Sequence, residues 1–154
     1  MASDTFILLN IQPRFAESIL NGTKKWEYRK MAPKINEETK MLLYASGDVR
    51  AVVGECLVTE VIRLPLDELI ERTIYESNST KEGLLSYFSN ATIGSALHLK
   101  DPKTYKDPIN LSEIVKLVSD FIPPQNFYYL RSEDKRFSKL YRLIESKTKM
   151  KSRC

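Results

Sequence analysis

The run FILLNI (Phe6 to Ile11) is apolar at nearly every position and of strand length, which predicts a strand buried on both faces. The period then changes. Pro13 suits a first helical turn, where its missing N–H would have no partner. Phe15, Ala16, Ile19 and Leu20 fall on one helical stripe, and Gly22 stands where a left-handed cap closes such a helix. Beyond it the period shortens to two. Trp26 and Tyr28 alternate with Lys25, Glu27 and Arg29, so an extended segment with one aromatic and one ionic face is expected. On that alternation Lys24 and Lys30 lie with the aromatic residues.

Two further strands are predicted over MLLYAS (Met41 to Ser46) and AVVGECLVTEVIRL (Ala51 to Leu64), the second bent at Gly54. Pro65 opens a helix with Leu66, Leu69 and Ile70 inward. Ser79 and Glu82 have capping-box spacing for another through Leu84, Leu85 and Phe88. SALHLK (Ser95 to Lys100) reads as a strand, and PPQNFYYL (Pro123 to Leu130) ends in one. Pro102, Pro108, Pro123 and Pro124 mark loops. From Ser132, a cap with Glu133 and Asp134 in the first turn, a final amphipathic helix buries Phe137, Leu140, Tyr141 and Ile144. KTKMKSRC reads as a disordered basic tail. These elements predict an α+β fold, a small β-barrel flanked by short helices. The division expected is a domain over 1–130 and a basic helix and tail over 131–154.

Charge sharpens this picture. The net charge is +4, but residues 131–154 carry nine Lys/Arg against three Asp/Glu, a net of +6, leaving −2 for the first 130. Such asymmetry points to an anionic partner, nucleic acid or a membrane surface. No apolar run approaches the roughly 20 residues of a membrane span, and the N-terminus has no signal-peptide pattern, so a cytoplasmic address without membrane contact is expected. Two cysteines, Cys56 and Cys154, imply no disulfide framework.

Candidate chemistry is sparse. One histidine and two distant cysteines do not match structural zinc spacing, and there is neither a Gly-rich phosphate loop nor a G-x-S-x-G elbow, so no metal or cofactor is expected. His98 reads as a hydrogen-bonded strand histidine and Cys56 as a small core residue.

The segment LLNIQPRFAESILNGTKKWEYRK resembles the opening motif of ASCH domains, of the PUA-like superfamily: strand, proline, helix ending Leu-x-Gly, then Lys-x-x-Glu-x-Arg. Those positions are Pro13, Leu20, Gly22, Lys24, Glu27 and Arg29, and the resemblance extends over about residues 6 to 130. It implies a PUA-like small β-barrel with a cleft lined by the Lys-x-x-Glu-x-Arg strand. It also implies RNA or single-stranded nucleic acid, or a nucleoside, as partner, in transcription or RNA metabolism. Lys25 and Arg29 are then candidate ligand contacts, with Tyr44 and Ser46 from the next strand. Gln125, Phe127 and Tyr129 would supply an amide and rings to read and stack a base. Some small ASCH members are amidohydrolases on N4-acetylcytidine, and a ribonuclease activity is known for another. In an enzyme Lys24 and Glu27 would be catalytic, with Glu76 a weaker candidate acid. The amidohydrolase's nucleophilic threonine, however, is replaced by Glu27.

Overall fold

The apolar runs assemble into one mixed sheet. The computed structural model describes the backbone of residues 5–152 and the side chains of residues 5–147. The strands are β1 (Thr5–Ile11), β2 (Trp26–Arg29), β3 (Thr39–Ala45), β4 (Ala51–Pro65), β5 (Ile93–Asn110) and β6 (Phe127–Arg131). Five helices accompany them among the described residues: α1 (Pro13–Leu20), α2 (Leu66–Thr73), α3 (Lys81–Tyr87), α4 (Leu111–Leu117) and α5 (Ser138–Ser152). Strand order is β2-β5-β4-β3-β1-β6, with β1 and β3 parallel and every other pair antiparallel.

β1 is buried on both faces, as its unbroken apolar run requires. Ile7, Leu9 and Ile11 pack with Met41, Leu43 and the Ala16–Ile19 stripe of α1 on one side. Phe6 and Leu8 pack with Leu42, Ile114 and the Phe137, Leu140, Tyr141 and Ile144 stripe on the other. The ring of Phe6 stacks on Tyr141 at 4.5 Å. A third cluster sets Trp26 and Tyr28 against Leu69 and Ile70 of α2, Leu84 of α3 and Phe88 just after it. Gly54 lets β4 press on its neighbours: a Cβ there would stand 2.5 Å from the Lys103 carbonyl oxygen and 2.6 Å from Leu20.

Several expectations are corrected. The sheet is not closed into a barrel. Its edge strands β2 and β6 approach through side chains: Arg29 donates to Asn126 Oδ1 at 3.0 Å, and Asn126 donates to the Met31 carbonyl at 2.8 Å. Pro102 and Pro108 lie inside the long β5, not in loops. Pro102 sits where the ladder jumps from Leu57–Lys100 to Glu55–Lys103, and β2 pairs only with residues 95–98, so no ladder bond is lost. The cap of α3 is Thr80, whose Oγ1 accepts the Gly83 N–H at 3.0 Å, because Ser79 is engaged elsewhere. Helix α5 begins at Ser138, since Asp134 accepts the Arg136 N–H at 2.9 Å and holds the preceding residues in a turn. It continues through Ser152 where the composition predicts a disordered tail, while Arg153 and Cys154 lie outside the described residues.

Candidate functional site

Gly22 at φ 85° turns the chain out of α1, so Lys24 precedes the first residue of β2 and escapes the strand's alternation. Its ammonium doubles back to Glu27 Oε1 at 3.6 Å, instead of facing away with Trp26. The other carboxylate oxygen takes Arg29 Nη2 at 2.8 Å and Nε at 3.0 Å. Arg29 goes on to donate to the Asn10 carbonyl at 2.9 Å and to Asn126, which engages four of the five guanidinium N–H groups. It is a clamp joining β2, β1 and the approach to β6.

Lys24 and Glu27 are 4% and 6% exposed. Lys24 also donates to the Ser77 carbonyl at 3.3 Å and Ser79 Oγ at 3.5 Å, and it lies 5.2 Å and 5.5 Å from the ring centroids of Tyr28 and Phe15. Burial lowers its pKa, Glu27 opposes that shift, and Arg29 adds to it. Burial likewise pushes the Tyr28 phenol up, although its hydroxyl lies 2.6 Å from Thr73 Oγ1. Because folding disfavours the protonated amine, the unfolded chain binds more protons between the lowered folded pKa and the ordinary 10.5. Lys24's contribution to stability should therefore rise with pH across that window and be flat below it. Unfolding of parent and Lys24→Met followed against pH should show the difference; parallel curves would contradict it.

Above this cluster opens a cleft of about 660 Å³. Gln12, Arg14 and Phe15 flank it at the start of α1, and Tyr87 flanks it at the end of α3. Of the residues singled out from the sequence, the structure brings Lys24, Glu27, Arg29 and Ser46 to this cleft. The Ser46 hydroxyl donates to the Ile11 carbonyl at 3.3 Å. Lys25 turns away and pairs with Glu76 at 3.6 Å, both about half exposed, beside a second pocket of about 370 Å³ that Lys24 also lines. Tyr44 is buried in the cluster that α4 and α5 cover, and burial raises its pKa. Phe127 and Tyr129 pack edge to face at 5.4 Å against the α1-side core, where Tyr129 accepts the Lys34 N–H at 2.7 Å. Gln125 is exposed and outside the cleft lining.

His98 and Cys56 take the structural roles expected. The imidazole lies 4.4 Å from the Trp26 ring and 3.0 Å from Thr59 Oγ1 through Nδ1, while Cys56 is buried and its thiol pushed far up by burial. Sequence patterns alone do not point to Asn10, Asn126 or the Ser77–Ser79 turn. The one signal is Asn10 itself, the sole amide in an otherwise apolar strand.

The open six-stranded α+β sheet with its five helices matches ASCH structures, a PUA-like, RNA-binding fold. The family model for the ASCH domain matches residues 9–114, and the chain belongs to the ASCH domain family. Among its relatives is an ASCH domain-containing ribonuclease of Zymomonas mobilis, 26% identical over 127 residues, spanning 82% of this chain and 85% of that protein. The crystal structure of ASCH from Zymomonas mobilis superposes with a TM-score of 0.81 at 26% identity, covering 92% of this chain and 96% of that one. The N-terminal domain of Staphylothermus marinus McrB shares the fold alone, at a TM-score of 0.56 and 14% identity over 92% and 95% of the two chains. Among the described residues no helix is long and apolar enough to cross a membrane.

Proposed function

We propose that the chain seats a nucleotide of single-stranded RNA in the 660 Å³ cleft, as a binding module in RNA metabolism or transcription. The observation that carries this reading is the buried Lys24–Glu27–Arg29 cluster on the cleft floor. Glu27 and the Ser77–Ser79 turn hold the lysine before any ligand arrives, so little ordering is left for binding to supply. The cleft falls within the roughly 300–1,000 Å³ of small-molecule sites. Phe15 and the 43%-exposed Tyr87 offer rings of the kind on which unpaired bases stack, and Gln12 offers an amide for a base edge. Lys24 is the ligand contact in this reading, while Glu27 and Arg29 act as positioning residues. RNA as ligand is consistent with a cytoplasmic address.

Metal-independent RNA cleavage is the second reading, favoured by the lowered pKa of Lys24 and by the name of the Zymomonas relative. A lysine readier than usual to give up its proton can accept that of a ribose 2′-hydroxyl. The 2′-oxygen then bonds to the adjacent phosphorus, the bond to the 5′-oxygen breaks, and water protonates the leaving oxygen. Hydrolysis of N4-acetylcytidine finds less support. Glu76 stands with Lys25, and Thr23, the threonine adjacent to Lys24, has its hydroxyl held by Asn21 Oδ1 at 2.7 Å and the Ser18 carbonyl at 3.2 Å.

Anisotropy titration with a labelled single-stranded RNA tests the site. Lys24→Gln should weaken binding about tenfold or more, roughly 1.4 kcal/mol, while retaining the parent's circular dichroism. Equal affinity would remove Lys24 from the site. Products appearing with parent but not Lys24→Gln, in the presence of EDTA, would establish cleavage.

A further inference from the structure

A third concavity, of about 510 Å³, lies beside the cleft, lined by Val61, Arg63 and Ser95 of β4 and β5 and by residues 30–35. Strand register explains its position. Arg63 pairs with Ser95, and Ser95 pairs with Arg29, so the three residues form one cross-strand row and share a face of the sheet. The row ends at the guanidinium on the cleft floor. Where the chain leaves β2, the Lys30 ammonium lies 5.4 Å from the ring centroid of Tyr87, which lines the cleft. Further along, Tyr129 accepts the Lys34 N–H and anchors that segment to β6. The groove thus begins where the cleft ends.

Its charge is one-sided. Lys30, Lys34 and Arg63 all line it and all are exposed, and no acidic side chain lines it. None of the three makes an ion pair among the described residues. Two exposed lysines elsewhere on the same sheet and its flank differ: Lys25 pairs with Glu76 at 3.6 Å and Lys100 with Glu38 at 2.8 Å. Three cations left without acidic partners in one concavity repel one another, and a polyanion relieves that repulsion.

We infer that this groove holds the phosphodiester backbone of an RNA strand as it leaves the cleft, with Lys30, Lys34 and Arg63 contacting phosphates of neighbouring nucleotides. The inference rests on the RNA reading of the cleft. It adds a direction for the strand: one nucleotide lies over Lys24, and the chain passes Tyr87 and Lys30 toward Arg63. Met31, 69% exposed on the groove wall, offers an apolar contact to a base along that path.

The test compares a ribonucleoside monophosphate, which fills the cleft alone, with a single-stranded oligoribonucleotide of about eight nucleotides, within the range that single-strand sites span. Both are titrated against parent and Lys34→Gln/Arg63→Gln at several salt concentrations. Monophosphate affinity should be unchanged in the double variant. Octamer affinity should fall, and its slope of log affinity against log salt should flatten by about 1.4, at about 0.7 for each phosphate no longer neutralised. Both replaced side chains are exposed, and a thermal melt like the parent's confirms that the fold is intact. An unchanged octamer slope overturns the groove while leaving the cleft standing. So does a parent that binds the octamer no better than the monophosphate. A parent that binds neither ligand overturns the cleft reading, and the groove with it. Equal competition by polyglutamate of matched charge would make the groove a general polyanion surface and overturn its assignment to RNA.

Discussion

Glu27→Gln is expected to destabilise the folded chain by about 3–5 kcal/mol, the range for breaking a buried ion pair from one side. In a chain of this size that lowers the melting temperature by about 6–20 °C. The reason is geometric. Lys24 and Arg29 have side chains 4% and 14% exposed, and both oxygens of the one carboxylate between them are in use. The neutral amide keeps the shape and removes the compensation. A solvated strand ladder would cost under about 1 kcal/mol for the same change, so thermal unfolding separates the two. The triple replacement Lys24→Met/Glu27→Leu/Arg29→Met should cost less than Glu27→Gln alone, because it leaves no orphaned charge. If it costs more, the cluster owes its stabilising effect to the clamp that Arg29 forms with Asn10 and Asn126.

The second large effect is expected far from the cleft. Leu140 is fully buried and packs in the cluster that contains Phe6, Leu8 and Leu42. Leu140→Ala should cost about 2–5 kcal/mol, the transfer of the deleted methyl groups plus the cavity left behind. Urea unfolding would measure it, and a cost near zero would make α5 an appendage. On the same argument residues 1–130 alone should not fold, although charge composition divides the chain at that point. Charge marks the helix's solvent side, and the stripe beneath belongs to the main core.

What is legible in the chain is local. β1, α1 and β2 follow from an apolar run, a proline, a stripe and a glycine within about two dozen residues, and each lies close to its expected place. The extent of β5 is hidden because proline ordinarily stops a strand. Here an unpaired outer side and a ladder irregularity accommodate Pro102. Helix α4 escapes notice because Pro108, just ahead of it, reads as the mark of a loop. In the site, Lys-x-x-Glu-x-Arg locates the charges but not their directions. Strand alternation sends Lys24 the wrong way because the strand starts two residues later, and Arg29's partner Asn126 is 97 residues distant. Tyr44 stands near the end of β3, where proximity to the cleft is the natural expectation. Strand alternation instead sets it with Leu42, on the face that α4 and α5 cover.

Strand order has a consequence for how the protein is made. The N-terminal strand β1 lies between β3 and β6, and its pairing with β6 joins Thr5 to Arg131. A ribosome therefore releases β1 long before its second neighbour exists, and the face of Phe6 and Leu8 waits for α5 to cover it. Until then the nascent chain carries a bare strand edge and an uncovered greasy patch, the surfaces that chaperones recognise and that drive aggregation. Late-closing pairings of this kind also slow folding, because the loop they close is nearly the whole chain. β6 and α5 thus complete the environment of β1.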